Sequence, residues 1–414
     1  MLVTPKVTRR AFARNTLGTL SLAAATGMRA SDDFTAHIDR VLNDGIRTRK
    51  IPAVAAMVAD AHRVLYQGAF GKRDGTTTAP IAADSIFAIA SMTKAVTSVA
   101  AMQLVEQGAV TLDEPISRIL PELATFPVLD GFDKMNKPIL RRARTPITLR
   151  HMLSHTSGLA YNVWSAPLTK LDSVGGTSAG TLMFEPGTNW QYGYGPEWTG
   201  RLIERISKLT LEQYFERNVT SPLEMKDTGF SISAAKYPRM ASTFMRTTSG
   251  PTKGVLFEMT RKLPPPPPTF DGGGGLYSTV GDFTKFMQMI LRRGRSNTNG
   301  LMLQKDTADA MSMNQIGELS AGKLKSQRPE VASDTDFHPG VIDKFGLGFL
   351  ITSEDVANGR SAGSLAWAGI DNTFFWIDPA RGLCATIMMQ FLPFCDKEAV
   401  GLLRDFEQAI YAAS

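Results

Sequence analysis

The sequence predicts a mixed α/β fold of the α+β kind, an antiparallel sheet flanked by helices with a mainly helical domain inserted into it. Three observations carry that expectation. Apolar runs of strand length stand near both ends of the chain, at residues 51–59 and 64–70 and again at 345–351, 372–377 and 383–390. Residues 109–260 hold few such runs and are mostly helix and loop in pattern. Helical spacing opens and closes the body of the chain, so the simplest topology builds one sheet from both chain ends.

The elements follow in order. Thr8-Arg9-Arg10-Ala11-Phe12 precedes a short apolar run at residues 17–25, the pattern of a twin-arginine export signal with cleavage between Ala25 and Ala30. The run is too short for a membrane span, and a disordered basic tail is the alternative. Phe34, Ile38, Val41, Leu42 and Ile46 then recur at helical spacing behind Ser31 and Asp32, which suit an N-cap and first turn. Residues 51–59 and 64–70 read as strands joined by the polar turn Asp60-Ala61-His62-Arg63.

A helix over 91–106 closes at Gly108. The proline run at 264–268 reads as stiff and the glycine run at 272–275 as flexible, marking a boundary or a loop near the site. A helix over 276–291, the late strands and a last helix over 397–411 complete the chain. The expected division is therefore an export signal at 1–30, a sheet domain from 31–90 with 270–414, and a mainly helical domain at 91–269. The site is expected in the cleft between the last two.

Composition narrows the function. With 43% hydrophobic and 20% charged residues, the chain can bury a large core. Five of the 45 Lys and Arg lie in the first thirty residues, which hold no acid, so the rest carries 40 basic against 39 acidic residues. The basic balance thus belongs to the leader, and no basic stripe with interleaved aromatics suggests nucleic acid. Once the signal is removed, no stable membrane insertion is expected. No Cys or His cluster has metal-ligand spacing, so neither a metal nor another cofactor is implied. Cys384 and Cys395 fit two buried thiols, with a disulfide as the alternative in an oxidising compartment.

The chemistry starts at Ser91-Met92-Thr93-Lys94, an S-x-x-K motif that sets serine and lysine on one face of a helical turn. A serine hydroxyl needs an adjacent base, and lysine becomes one where burial or nearby cations lower its pKa. Helix-start N–H groups favour negative charge developing there. Ser233 with Lys236 and Ser320 with Lys323 match the same motif. Ser91 alone has an apolar lead-in, residues 86–90, and a small-residue helix behind it.

The segment Phe87-Ala88-Ile89-Ala90-Ser91-Met92-Thr93-Lys94 resembles the active-site segment of class C β-lactamases and their esterase relatives, the family VIII carboxylesterases. Further resemblances follow in the right order: residues 148–159, the stretch Glu185-Pro186-Gly187-Thr188-Asn189-Trp190-Gln191-Tyr192, residues 274–279 with Asp282 and Phe283, and Phe345-Gly346-Leu347-Gly348. Similarity spans about residues 33–410. The resemblance implies a β-lactamase/DD-peptidase-like, penicillin-binding-protein-like fold. It also implies acyl transfer through a covalent intermediate, with Ser91 as nucleophile and Lys94 and Tyr192 sharing the proton work.

Two departures from the lactamase pattern point toward esters. Tyr194 replaces the asparagine of tyrosine-any-asparagine, leaving Tyr194 as a rival phenol or a pocket residue. Trp367-Ala368-Gly369 stands where lactamases carry Lys-Thr-Gly and many of the esterases carry Trp-Gly-Gly. Trp367 and Gly369 then shape a substrate pocket, and the Ile370 and Ser91 backbone N–H groups form the oxyanion hole. Trp367 as a core residue is the competing reading. His155, in a Ser-His-Thr-Ser-Gly turn, reads as structural, and no Gly-x-Ser-x-Gly elbow is present.

The expected partner is a small-molecule carboxylic ester of small to medium acyl length. A β-lactamase, transesterase, or amide or D-peptide hydrolase on the same site is the alternative, as is a non-catalytic binding or sensor protein on the same fold.

Overall fold

The computed structural model describes residues 32–412 apart from 78, 251, 260, 261 and 299, so the segment read as an export signal lies outside the described residues. The chain starts with α1 (Asp32–Arg49) and the hairpin of β1 (Ala53–Asp60) and β2 (Val64–Gly71). The Asp60 carboxylate makes that turn, accepting from the His62 and Arg63 backbone N–H groups at 2.8 and 2.9 Å. Next come β3 (Phe87–Ala88), α2 (Thr93–Glu106), a hairpin of β4 (Pro127–Phe132) and β5 (Pro138–Arg142), and α3 (Leu149–Leu153). The middle continues with α4 (Ala166–Ser173), α5 (Gly195–Ser207), α6 (Leu211–Phe215), β6 (Phe244–Arg246) and β7 (Leu256–Glu258).

The last part holds β8 (Tyr277–Ser278), α7 (Val280–Leu291), α8 (Lys305–Met311), β9 (Lys344–Phe345), β10 (Leu350–Ile351) and β11 (Leu365–Gly369). It ends with β12 (Thr373–Asp378), β13 (Leu383–Met388), β14 (Phe391–Leu392) and α9 (Lys397–Tyr411).

The main sheet has the order β2-β1-β13-β12-β11-β10-β9, antiparallel throughout, so strands from both chain ends meet where β1 pairs with β13. Helices cover both faces. Phe375 and Trp376, consecutive in β12, point to opposite sides. Phe375 meets Phe283 of α7 at 5.0 Å between ring centroids, and Trp376 meets Phe406 of α9 at 5.8 Å. Each such buried ring contributes about 1.5–3 kcal/mol of transfer free energy. Because neither face is wet, β11 to β13 are buried at every residue, which is why they read as continuous apolar runs. The stripe on α1 buries Phe34, Ile38, Leu42 and Ile46 against α9.

Four expectations need correction. The run at 345–351 is a hairpin rather than one strand: it breaks between Phe345 and Leu350, where Gly348 has φ +98° and its N–H donates to the Leu153 carbonyl at 3.0 Å. A Cβ at Gly348 would fall on Ser98 of α2, so the turn is pressed onto the helix that bears Lys94. The helix expected from 276 begins at Val280, capped by Thr279, because Tyr277 and Ser278 pair with Ala88 and Phe87 instead.

The middle of the chain is less purely helical than its pattern suggested. It contains the β4–β5 hairpin, and β6 pairs in parallel with β14, which ties residues 244–246 to the C-terminal part of the chain. Finally, the glycine run is no flexible joint. Gly272 and Gly273 are buried against α5, and the apolar core is continuous through both parts of the chain. Among the described residues no helix is long and apolar enough to cross a membrane.

Candidate active site

Ser91 sits in a single 3-10 turn, Ala90–Met92, between β3 and α2. The turn is fixed at its entrance by the Ile89 N–H on the Leu276 carbonyl at 3.0 Å. Ala90 has φ +44°, a left-handed conformation costly for a residue with a side chain, immediately before the proposed nucleophile. Behind it α2 is buried from Thr93 to Leu104, as its small residues allow. Lys94, 2% exposed, donates from Nζ to Ser91 Oγ at 3.2 Å and also to the Gly273 carbonyl. The competing motifs differ: Lys236 and Lys323 instead pair with Asp227 and Asp336, at 3.3 and 3.5 Å.

Tyr192 reaches the same point from the loop before α5. Its carbonyl accepts from the Tyr161 N–H at 3.2 Å, and the Tyr194 N–H donates to the Leu159 carbonyl at 2.8 Å. Between these bonds Gly193 lies flat on the Leu159 carbonyl and the Ala160 backbone, with no room for a Cβ. The Lys94 ammonium is 4.9 Å from the centroid of the Tyr192 ring and 5.2 Å from that of Tyr161. The Tyr192 hydroxyl is buried, and the side chain interacts with the Lys94 ammonium. Tyr194, its rival, precedes α5 and meets the Tyr161 ring edge to face at 4.4 Å between centroids, one ring removed from the ammonium.

His155 is 3% exposed and wedged behind Tyr192, with ring centroids 4.8 Å from Tyr192, 5.2 Å from Phe345 and 6.2 Å from Trp367. Its Nδ1 accepts the Gly193 N–H at 3.3 Å, which places the ring proton on Nε2. Trp367 stands beside it, 4.9 Å from Tyr192 and 6% exposed, as part of the wall that holds the phenol. Gly369 closes β11 against the Ile89 carbonyl, where a Cβ would collide, and β11 packs on the 3-10 turn that bears Ser91.

Three further residues join this cluster that the sequence reading did not single out. Tyr161 donates its hydroxyl to Glu197 of α5, whose other oxygen, Oε2, has no partner. Asp271 accepts the Gly273 N–H at 2.7 Å and so shapes the turn whose carbonyl receives Lys94. Glu197 had the look of an acid favoured in a helix first turn. The nearby signal was the spacing of Gly193, Gly195 and Gly200, which announces close backbone packing around it.

The electrostatics overturn one expectation. Burial pulls the Lys94 pKa down, but attraction to Tyr192, Glu197 and Asp271 outweighs it, and the net shift is upward. The neighbours of this lysine are acidic groups, not cations. Burial raises Tyr161 well above the usual phenol range, so it remains a donor to Glu197. Burial likewise raises Glu197, against the pull of Lys94. Burial, followed by the Lys94 charge, drives His155 well below the usual imidazole range, which keeps it neutral.

The chain is 32% identical over 408 residues to monacolin J acid methylbutanoyltransferase of Aspergillus terreus, covering 92% of this chain and 97% of that protein. It is 29% identical over 397 residues to lovastatin esterase of Penicillium rubens, covering 90% and 98% of the two chains. A simvastatin synthase variant from Aspergillus terreus superposes with a TM-score of 0.79 at 31% identity, over 94% of this chain and 99% of that one. The beta-lactamase family profile matches residues 38–409, and the chain belongs to the beta-lactamase family, with the mixed α/β fold of its penicillin-binding-protein-like relatives.

Proposed function

We propose that the protein is a serine acyl-transfer enzyme that cleaves carboxylic esters of small to medium acyl length through an acyl-enzyme on Ser91. The observation that carries this reading is the hydrogen bond from Lys94 to Ser91 Oγ at 3.2 Å, with the Tyr192 phenol beside the same ammonium. Since Lys94 donates to Oγ, the serine's own proton points elsewhere, and Tyr192 is the acceptor at hand. In its phenolate form Tyr192 takes that proton as Oγ attacks the ester carbonyl. The tetrahedral oxyanion accepts from the Ser91 and Ile370 N–H groups. Collapse expels the alkoxide, which takes the proton from Tyr192, and water or a second alcohol then attacks the acyl-enzyme through the same proton path.

Transfer to an alcohol is a second fate of the same intermediate, favoured by the enclosure of the site in Tyr, His and Trp rings and by relatives that are acyltransferases as well as an esterase. Tyr194 and Trp367, in place of an amide and a lysine, favour esters over lactams. The test is a p-nitrophenyl ester chain-length series, with nitrocefin alongside and with added alcohol. Turnover of short and medium esters, accelerated by alcohol and far above nitrocefin, is expected. A folded protein that turns over neither would instead be a binding protein on this fold.

The twin arginines support export, to the periplasm or beyond; export should be lost when Arg9 and Arg10 are both replaced by lysine, and export that persists would mean that the pair is not the signal.

A further inference from the structure

The mechanism above leaves one carboxylate at the site unused. Glu197 is partly buried; one carboxylate oxygen accepts the Tyr161 hydroxyl, and the other, Oε2, is shut off from solvent and has no hydrogen-bond partner. Such a group is costly unless it serves a nearby charge. It is also held in place: Gly273 lies so close that a Cβ there would overlap the Glu197 carboxyl, and the Gly273 carbonyl is the one that receives Lys94. The groups around the Lys94 ammonium are Ser91 from the 3-10 turn, His155 and Tyr161 from the loops after α3, Tyr192 before α5, Glu197 on α5, and Asp271 with Gly273 from the glycine run. Of these, only Glu197 and Asp271 are carboxylates; Asp271 is exposed, and Glu197 is the one with an oxygen shut off from solvent.

We propose that Glu197 is a positioning residue that, with Asp271 in support, holds Lys94 as an ammonium in the resting site and so leaves acceptance of the Ser91 proton to Tyr192. This rests on the acyl-transfer reading for its consequence but not for its test. Tyr161 completes the device by fixing the carboxylate with a hydrogen bond. A neutral side chain at 197 removes the charge that offsets the burial of the ammonium, so Lys94 gives up its proton at lower pH.

The experiment follows the Lys94 side-chain amine directly, by NMR titration of isotopically labelled lysine, assigned by its loss in Lys94→Arg. It needs no substrate, so it stands even if the enzyme's ester chemistry fails. In Glu197→Gln the Lys94 midpoint is expected to fall by about one pH unit or more. Glu197→Asp should recover part of the fall, and the Lys94-linked limb of the kcat/KM profile for a p-nitrophenyl ester should move to lower pH with it. If Glu197→Gln does not fold, Tyr161→Phe serves: it withdraws the bond that favours the ionised carboxylate and should lower the midpoint in the same direction by less. A midpoint that stays in place in a folded Glu197→Gln or Tyr161→Phe protein overturns the proposal, whatever happens to the rate.

Discussion

His155→Phe separates a histidine that supports Tyr192 from one that handles protons. The substitution keeps a ring among Tyr192, Phe345 and Trp367 but removes the Nδ1 acceptor of the Gly193 N–H. Leaving that buried donor unpaired should cost about 1–3 kcal/mol at neutral pH. The pH dependence follows from the depressed pKa in the folded state: unfolded His155 binds a proton first, with an ordinary value of 6.5, while the folded ring stays neutral.

The native protein therefore keeps its full stability above that value and loses about 1.4 kcal/mol per pH unit below it, until the folded ring itself protonates. His151, also lowered by burial, adds a slope of the same sign in both proteins and cancels in the comparison. Urea unfolding over a pH series should show the gap between wild type and His155→Phe closing as the medium is acidified. The variant should keep kcat/KM within about tenfold at neutral pH, whereas loss of a general base costs about ten-thousandfold. A gap that stays constant with pH, or a loss of the larger size, would refute a neutral supporting role.

Two other substitutions test the packing of the site. Gly273→Ala forces a Cβ into the Glu197 carboxyl and moves the carbonyl that receives Lys94; it should cost about 1–3 kcal/mol of stability by overpacking, with kcat down about a hundredfold. Wild-type stability and rate in that variant would mean that the glycine run does not set the lysine. Cys384 and Cys395 are both free and buried, and burial pushes both thiols up, so a thiol reagent should leave the native protein unmodified and label both after unfolding.

What could be read in the sequence depended on whether the signal was local. The stripe of Leu402, Leu403, Phe406 and Ile410 fixed the last helix to its ends, because amphipathic periodicity survives any tertiary context. The break inside residues 345–351 could not be read from hydrophobicity, since apolar residues continue through it; the turn exists because Gly346 and Gly348 are pressed against Met311 and Ser98. Ser91 and Lys94 are three residues apart and were legible as a pair, while Tyr192 came only from resemblance. Glu197 and Asp271 are far from Lys94 in the chain, and nothing in either segment says that they converge on it. Their absence from the reading is why the lysine was expected to lie low in pKa rather than high.

The central claim is that an acyl group is carried on Ser91, and mass spectrometry of acid-quenched protein tests it most directly. After brief reaction with a p-nitrophenyl ester, the acyl mass should appear on the peptide containing Ser91 in the wild type and be missing in Ser91→Ala, whose turnover should fall to background. An adduct on another residue, or turnover in Ser91→Ala within about tenfold of wild type, would contradict the account.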